Sequence, residues 1–135
     1  MPARVATVRR QFDLRARRFR QHDALPREIR QRLLDRLQYI RLSPRLVLDV
    51  GCGAGGATGL LSAHYPSAQV VGLDLSEGML RQRDSGVRDR LPRWLGGQSS
   101  LLVAADAGRV PLADESVDLV FSNLMLHWHP EPHTL

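Results

Sequence analysis

The sequence of 135 residues contains a single cysteine, Cys52, no lysine and few aromatic side chains. One cysteine cannot form an intrachain disulfide, which excludes a secreted scaffold built on disulfides and favours a reducing compartment. No apolar run approaches the roughly 20 residues of a membrane-spanning helix, and no apolar stretch follows the N-terminus as in a secretory signal. We therefore expect a soluble, cytoplasmic unit of ordinary domain size.

The basic residues, all of them arginines, are distributed unevenly along the chain. Residues 1–45 hold 13 arginines and four acidic residues, a net charge of +9. Residues 46–135 hold six arginines and ten acidic residues, a net charge of −4. This segregation indicates a basic arm attached to a mildly acidic body. We expect an Arg-rich helical arm over residues 1–44 and the main domain over residues 45–135.

Two amphipathic helices are predicted in the arm. Apolar residues recur there at helical spacing: Val5, Val8, Phe12 and Phe19 in the first helix, and Leu25, Ile29, Leu33, Leu37 and Ile40 in the second. The Ser43-Pro44 step is expected to end the second helix, because the residue before a proline is pushed out of the α region.

The rest of the chain alternates between apolar strands and helices. Continuous apolar runs predict strands buried on both faces, as in a parallel sheet, at residues 46–50, 70–73, 101–105 and 117–121. Helices are predicted over residues 57–65 and after Ser76, whereas residues 81–100 show no clear pattern. This rhythm is typical of an α/β protein. We predict a Rossmann-like, doubly wound parallel sheet that stops after its fourth strand.

A glycine-rich turn follows the first strand. Gly51, Gly53 and Gly56 match the spacing G-x-G-x-x-G between a strand and a helix, which allows a tight turn and a close approach of backbone amides to a ligand. Asp74 closes the next strand, where a carboxylate can bind ribose hydroxyls. The alternatives are a turn that only serves packing, and an aspartate that is only a solvated loop residue or a helix cap.

Three aspartates are expected around one crevice, because ligands bind beyond the carboxyl ends of parallel strands. These are Asp49, Asp74 and Asp106. The pyrophosphate of NAD would meet like charge there in a partly desolvated site. S-adenosylmethionine carries no phosphate, and its sulfonium, ammonium and hydroxyl groups suit carboxylates. The sequence therefore favours S-adenosylmethionine over a dinucleotide.

In combination these motifs resemble the class I S-adenosylmethionine-dependent methyltransferases. The resemblance covers residues 45–128, with its motifs at residues 47–55, 72–76, 79–80, 105–107, 111–112 and 121–124. It implies S-adenosylmethionine as the cofactor and a cofactor site formed by Asp49, Gly51, Cys52, Gly53, Asp74, Leu75, Asp106, Ala107 and Asn123.

The same resemblance implies a role for most of these residues. Asp49 and the Gly51–Gly53 backbone would hold the methionine end of the cofactor. Asp74 would bind the ribose hydroxyls, and Asp106 with Ala107 the adenine edge. Asn123 would lie near the site of methyl transfer.

A narrower resemblance extends to the arm. Residues 8–13, 20–25 and 122–128 are similar to the malonyl-acyl-carrier-protein O-methyltransferases of biotin synthesis. This resemblance implies O-methylation of the free carboxylate of a malonyl thioester, and an acidic acyl carrier protein as partner. The arm would complement such a partner; alternatively, its arginines are solvated helix faces. A carboxylate is already anionic, so transfer needs alignment rather than a general base, and no catalytic residue is predicted.

The length of the chain leaves other functions open. The sheet of this family normally has seven strands, so we expect an N-terminal part of the enzyme, and turnover by this part alone is left open. A non-catalytic cofactor-binding fragment and a methyltransferase acting on another small molecule are the alternatives. With strand order 3-2-1-4, residues 117–121 are expected to form an exposed apolar edge, which predicts poor solubility or self-association.

Two further functions are weighed against the residues. A nucleic-acid-binding module would use the arginines and stack bases on Phe12, Phe19 and Tyr39, but the spacing of these aromatics favours packing within helices. A metal site would use His127, His129, His133 and Glu131, whose spacing matches no zinc pattern, so none is predicted. Cys52 has no evident base partner. His64 is expected to interact with the end of its helix.

Overall fold

A computed structural model describes residues 3–19, 23–83 and 100–135 of the chain. Most of the segment at residues 81–100, left without a predicted pattern, falls outside these ranges. Four parallel strands form a single sheet in the order β3-β2-β1-β4. They are β1 Leu46–Val50, β2 Gln69–Asp74, β3 Ser100–Ala104 and β4 Leu119–Ser122. The order and direction of the strands confirm the predicted Rossmann-like sheet.

The last strand begins two residues later than predicted, and Asp118 accounts for the difference. Its Oδ2 accepts hydrogen bonds from the backbone N–H groups of Arg45 (2.7 Å) and Leu46 (2.9 Å). These bonds lower the pKa of Asp118. The N–H of Asp118 also donates a 2.9 Å hydrogen bond to the carbonyl of Leu46. The side chain and the backbone of Asp118 therefore both fasten the start of β1 to the chain entering β4.

The helices of the arm are α1 Ala3–Phe19 and α2 Ala24–Leu37, which confirms both predicted helices. Helix α2 ends before Ile40. The backbone N–H groups of Tyr39 and Ile40 donate to the carbonyls three residues earlier, which forms a tighter turn than an α-helix. Leu25 and Ile40, two ends of the predicted apolar stripe, are exposed. Tyr39 is 81% exposed, so the expected packing of this aromatic is wrong.

Two shorter helices follow the first two strands: α3 Gly56–His64 and α4 Glu77–Leu80. His64 is the last residue of α3, and its ring meets the ring of Tyr65 edge-on at 4.5 Å. Among the described residues, no helix has the length and apolar content needed to cross a membrane.

The hydrophobic core lies on both faces of the sheet, because successive strand residues point to opposite sides. On one face Val47, Val70 and Phe121 pack against α3 and the end of α2. On the other face Leu48 and Leu73 pack against the segment that connects β3 to β4. Burying one such aliphatic side chain stabilises the fold by about 1.5–3 kcal/mol. Burial on both faces explains why β1 and β2 appear as continuous apolar runs. The predicted burial of β3 and β4 on both faces is wrong, because these strands lie at the edges of the sheet and Leu101 and Val120 are exposed.

Helix α1 of the arm is attached through α4, whereas α2 packs on the core through Leu37. Oδ1 of Asp13 accepts hydrogen bonds from the Ser76 hydroxyl (2.6 Å) and from the Gly78 N–H (2.9 Å). A side chain at Gly78 would lie 3.0 Å from the Cα of Asp13, so only glycine allows this approach. Arg9 adds an ion pair with Glu77 at 2.9 Å. Helix α1 is thereby held beside the end of β2.

Candidate functional site

A cavity of about 960 Å³ opens at the carboxyl ends of the strands. All nine residues predicted to form the cofactor site line it. The arm contributes a second wall, which sequence reasoning did not place there: Val5, Val8, Phe12, Phe19, Leu25, Pro26, Arg27 and Arg30. A third part of the wall comes from the chain after β4. The arm and the sheet therefore enclose one site together.

The glycine turn has a backbone that most other residues would strain. Gly51, Gly53 and Gly55 have φ values of +75°, +56° and +81°. The third left-handed glycine is thus Gly55, whereas Gly56 of the predicted pattern begins α3. The N–H groups of Gly51 and Cys52 both bond to the carbonyl of Leu73, at 2.7 and 3.0 Å. The turn is therefore held against the end of β2.

Asp74 connects this turn to the segment after β2. Its Oδ2 accepts a hydrogen bond from the Gly53 N–H, and its Oδ1 accepts one from the Ser76 N–H, both at 2.8 Å. Burial raises the pKa of Asp74, although these two donors oppose the shift. Each carboxylate oxygen can accept a second hydrogen bond. Asp74 is therefore fixed in orientation and can still bind hydroxyl groups, while the adjacent Leu75 lines the cavity.

Asp49 is buried to 2% exposure beneath the turn. Its Oδ2 accepts a 2.7 Å hydrogen bond from the hydroxyl of Thr58 in α3. Burial, aided by the negative charge of Asp74, raises the pKa of Asp49 to about 6 against the opposing effect of Thr58. A buried carboxylate with a raised pKa is stabilised by a nearby cation. Asp49 therefore gives this end of the cavity a preference for positive charge.

Asp106 lies beyond β3, directly before Ala107. Its Oδ1 accepts a hydrogen bond from the Gly108 N–H at 3.0 Å and lies 3.5 Å from Nε2 of His129. The other ring nitrogen of His129 accepts a hydrogen bond from the Glu131 N–H. Within the described residues, Oδ2 of Asp106 accepts no hydrogen bond and can receive one from a ligand.

Asn123 at the end of β4 holds the arm. Its side-chain Nδ2 donates a 2.9 Å hydrogen bond to the carbonyl of Pro26 in the first turn of α2. Its Oδ1 is buried and has no hydrogen-bond partner among the described residues. Asn123 therefore fixes the position of α2 at the edge of the cavity.

Cys52 is buried within the turn. Burial, together with the charges of Asp49 and Asp74, strongly raises the pKa of its thiol. The thiol is protonated at neutral pH, and thiols react as nucleophiles in the thiolate form. A side chain at Gly72 would lie 2.9 Å from Sγ, so the sulfur fills the space beside β2. Cys52 contributes packing and its backbone to the site.

Aromatic residues from the two ends of the described chain meet at the cavity. The rings of Phe12 and Trp128 lie edge to face, with centroids 5.1 Å apart. The histidines that follow β4 are not gathered into a ligand set: among the described residues, no three His, Cys, Asp or Glu side chains are placed to hold a metal ion. His129 lies against Asp106 instead.

Three residues that the sequence did not assign to the cofactor site lie at it in the structure: Arg30 and His129 line the cavity, and Asp13 bonds to Ser76 beside it. Helical periodicity identified the apolar face of the arm, but it does not indicate which polar residue beside that face meets another element. Asp13 ends the arm motif at residues 8–13, which is the one signal that the sequence offers.

The chain is similar in sequence and fold to known proteins. The methyltransferase domain family matches residues 48–135. The malonyl-[acyl-carrier protein] O-methyltransferase of Methylovorus sp. (strain MP688) is 43% identical over 123 residues, which are 91% of this chain and 41% of that protein. The enzyme of that name from Halorhodospira halophila is 45% identical over 121 residues, 90% of this chain and 39% of that protein. The chain thus spans about two fifths of the length of the curated relatives it matches.

The solved complex between the Haloferax volcanii Trm112 methyltransferase activator and a methyltransferase contains a similar fold. The TM-score is 0.69 at 26% identity, over 94% of this chain and 51% of that one. The chain belongs to the methyltransferase domain family, as its resemblance to the class I S-adenosylmethionine-dependent methyltransferases predicts.

Proposed function

We propose that this chain forms the cofactor-binding part of an S-adenosylmethionine-dependent methyltransferase whose acceptor is the free carboxylate of a malonyl thioester on an acyl carrier protein. The observation that carries the proposal is the arrangement of Asp49, Asp74 and Asp106 around one cavity that also contains the glycine turn. Carboxylates at three successive strand ends favour a cationic ligand with hydroxyl and amine donors, and they disfavour a phosphate.

The unused hydrogen-bond acceptors of the cavity fit this cofactor. Asp74 can accept from two ribose hydroxyls, and Oδ2 of Asp106 can accept from the adenine amine. Asp49 favours positive charge at the methionine end. A cavity of about 960 Å³ also lies at the upper end of the range for small-molecule sites, roughly 300–1,000 Å³. The cofactor would thus extend along the ends of β3, β2 and β1 in that order.

When bound, S-adenosylmethionine supplies a methyl group already activated by its sulfonium. The protein is then required to align the acceptor and to exclude water. Phe12 and Trp128 give the cavity an apolar edge. The thiol of Cys52 is protonated and no base is needed for a carboxylate acceptor. The chemistry therefore depends on positioning by the arm and by the strand ends.

The names of the relatives and the charge of the arm support the carrier-protein acceptor. Two relatives at 43% and 45% identity are named malonyl-[acyl-carrier protein] O-methyltransferases. Among the described arm residues, most arginines are exposed, including Arg10, Arg17, Arg32 and Arg36. A positive surface accelerates encounter with an acidic partner. We place the reaction in the cytoplasm, since the lone Cys52 suits a reducing compartment.

Calorimetric titration tests the cofactor. We expect S-adenosylhomocysteine to bind, NADH not to compete, and Asp74→Ala to weaken binding by about tenfold or more, as loss of hydrogen bonds to a charged group implies. The matched control is Asp114→Ala, because Asp114 is an exposed acidic residue outside the cavity. Equal affinities in the two variants would remove Asp74 from the site.

A transfer assay with radiolabelled methyl donor tests the acceptor. We expect label on malonyl-acyl carrier protein and none on acetyl-acyl carrier protein, which has no free carboxylate. If the chain bound the cofactor but transferred no methyl group to either carrier protein, it would be a non-catalytic cofactor-binding fragment. Transfer only to other small molecules would overturn the carrier-protein assignment, and tight, steeply salt-dependent oligonucleotide binding would favour a nucleic-acid-binding module.

A further inference from the structure

Two opposite faces of α1 differ in composition. The residues of one face line the cavity: Val5, Val8, Phe12 and Phe19. Three arginines and one leucine follow one another at helical spacing on the other face: Arg10, Leu14, Arg17 and Arg18. At about 100° of rotation per residue, this second set forms one stripe roughly half a turn away from the first. We call these four residues the outer stripe of α1.

The outer stripe has an apolar centre and a positive rim. Leu14 lies in the middle of it and is 75% exposed. Isolated exposed leucines are common on protein surfaces, so the neighbours of Leu14 distinguish this one. The three arginines are exposed, and within the ranges that the structure describes none of them forms an ion pair with an acidic residue. Their charge is therefore not neutralised there.

The exposed face of α2 differs in this respect. Arg32 pairs with Glu28 at 2.9 Å, and Asp35 accepts a hydrogen bond from Gln31 at 2.8 Å. Acidic residues of α2 thus balance its arginines within the helix. In α1 the one acidic residue is Asp13, which bonds to the segment at α4 instead. Nothing among the described residues balances the outer stripe, which leaves its charge for a partner molecule.

We propose that the outer stripe of α1 is the docking surface for the acyl carrier protein, with an apolar residue of the carrier on Leu14 and acidic residues around it. This inference rests on the proposed function. Protein interfaces combine an apolar centre with a polar rim, and rim charges of opposite sign accelerate and orient the encounter. The phosphates of a nucleic acid would use the arginines but would gain nothing from Leu14.

Helix α1 relates this surface to the cavity. Its outer stripe and its cavity-lining face are separated by one helix diameter, about 10–12 Å. A carrier protein docked on the stripe therefore lies beside the cavity without entering it, and only its thioester arm has to pass the helix. We accordingly expect the carrier to bind with nearly the same affinity whether or not it is loaded with malonate.

Fluorescence anisotropy with labelled malonyl-acyl carrier protein measures the docking affinity. Arg17→Glu places an acidic group against an acidic partner, so we expect it to weaken binding by about tenfold or more and to reduce the dependence of affinity on salt. Leu14→Ala should weaken binding by about fivefold, as for a residue at the centre of an interface. The unloaded carrier protein should give the same pattern with both variants.

Two matched variants make the same chemical changes outside the stripe. Arg36→Glu reverses an exposed charge of α2 and changes the net charge by the same amount as Arg17→Glu. Leu60→Ala truncates an exposed leucine of α3. Both should bind the carrier protein as the parent does. All four variants should bind S-adenosylhomocysteine with the affinity of the parent, which shows that the fold and the cavity are kept.

The remaining outcomes overturn the inference in distinguishable ways. Equal losses in Arg17→Glu and Arg36→Glu would indicate attraction by net charge without a docking surface, and an unchanged Leu14→Ala would reject the apolar centre. Carrier binding unaffected by either stripe variant would place the docking surface elsewhere and leave the proposed function intact. A parent chain that bound S-adenosylhomocysteine but no carrier protein would fail the proposed acceptor itself. Oligonucleotide binding that only Arg17→Glu abolishes would assign the stripe to nucleic acid.

Discussion

The Ser76 hydroxyl after β2 donates a hydrogen bond of 2.6 Å to Asp13 in the arm, although the two residues are 63 positions apart in the chain. The backbone N–H of the same Ser76 holds Oδ1 of Asp74. Burial alone would raise the pKa of Asp13. The hydrogen bonds from Ser76 and Gly78 and the positive charges of two arginines outweigh that effect, so the pKa of Asp13 is lowered. These arginines are Arg9 and Arg81. An ionised residue of the arm therefore orients a carboxylate at the cavity through one intermediate residue, Ser76.

Asp13→Ala should weaken cofactor binding without removing any atom that lines the cavity. Loss of a helix-capping acceptor costs about 1 kcal/mol, and the partial exposure of Asp13 keeps the cost near that value. We expect S-adenosylhomocysteine affinity to fall by about three- to tenfold, measured by calorimetry. Asp13→Asn keeps an acceptor oxygen and should restore most of the affinity. Asp35→Ala, an exposed acid of α2 bonded to Gln31, serves as the control; a loss of affinity equal to that of Asp13→Ala would refute the positioning role.

Cofactor affinity should depend on pH through Asp49, whose pKa of about 6 lies above its ordinary value. The ionised form attracts a cation, so affinity should be constant above pH 7. Below pH 6 it should fall, approaching tenfold per pH unit. Calorimetry between pH 5 and pH 8 on the parent and on Asp49→Asn checks this expectation. The asparagine variant should bind more weakly at neutral pH and show a flatter profile; parallel profiles would contradict the role of Asp49.

The same carboxyl should affect folding stability with the opposite sign. The folded chain favours its protonated form, so the stabilisation is present below pH 4 and is lost as the pH rises to about 6. The free energy of unfolding of the parent, relative to Asp49→Asn, should therefore decrease between pH 4 and pH 6. Urea denaturation at a series of pH values measures the difference. A relative stability that increases over this range would show that Asp49 is stabilised as an anion.

Gly51→Ala should destabilise the fold. Its φ is +75°, and an added Cβ would overlap the side chain of Met125. We expect a loss of about 2–4 kcal/mol from backbone strain and overpacking, measured by urea denaturation. Gly59→Ala is the matched variant: it lies within α3 and its Cβ would meet no atom within 4 Å. Replacing that helical glycine should stabilise by about 0.5–1 kcal/mol, and equal effects at the two positions would contradict this account.

Strand β4 should promote self-association of the 135-residue chain. It pairs only with β1 among the described residues, and Val120 is 61% exposed. Unpaired apolar edges attract other strands. Light scattering should show oligomers that Val120→Lys reduces, whereas Leu60→Lys on the exposed side of α3 should not. A monodisperse monomer of the parent chain would disprove the expectation.

The sequence was sufficient to predict the sheet and most of the cavity, because those features depend on local signals. A strand buried on both faces appears in the sequence as a continuous apolar run. The polar residue at the carboxyl end of such a run is then a candidate for the ligand site. Asp49, Asp74 and Asp106 were found in this way, and all three line one cavity. The strand order was the one implied by the resemblance to the methyltransferase family, and the structure has that order.

Contacts between distant elements could not be predicted in the same way. Phe12 has the spacing of any packed helix residue, and nothing near it indicates Trp128 as its neighbour. The close approach of Arg30 to Gly56 likewise depends on how α2 crosses the glycine turn. The spacing of glycines specified a turn, but backbone geometry decided that Gly55 rather than Gly56 takes the left-handed conformation.

The bond from Asn123 to Pro26 links the end of the sheet to the start of α2, so the cavity has a wall made from both extremities of the described chain. Thermodynamic linkage follows from this construction. A ligand that contacts both walls dissociates whenever the arm detaches, and its occupancy raises the free energy of that local opening by RT ln(1 + [L]/Kd). The rate of amide hydrogen exchange in α1 and α2 therefore reports the fraction of chains whose cavity is occupied by ligand.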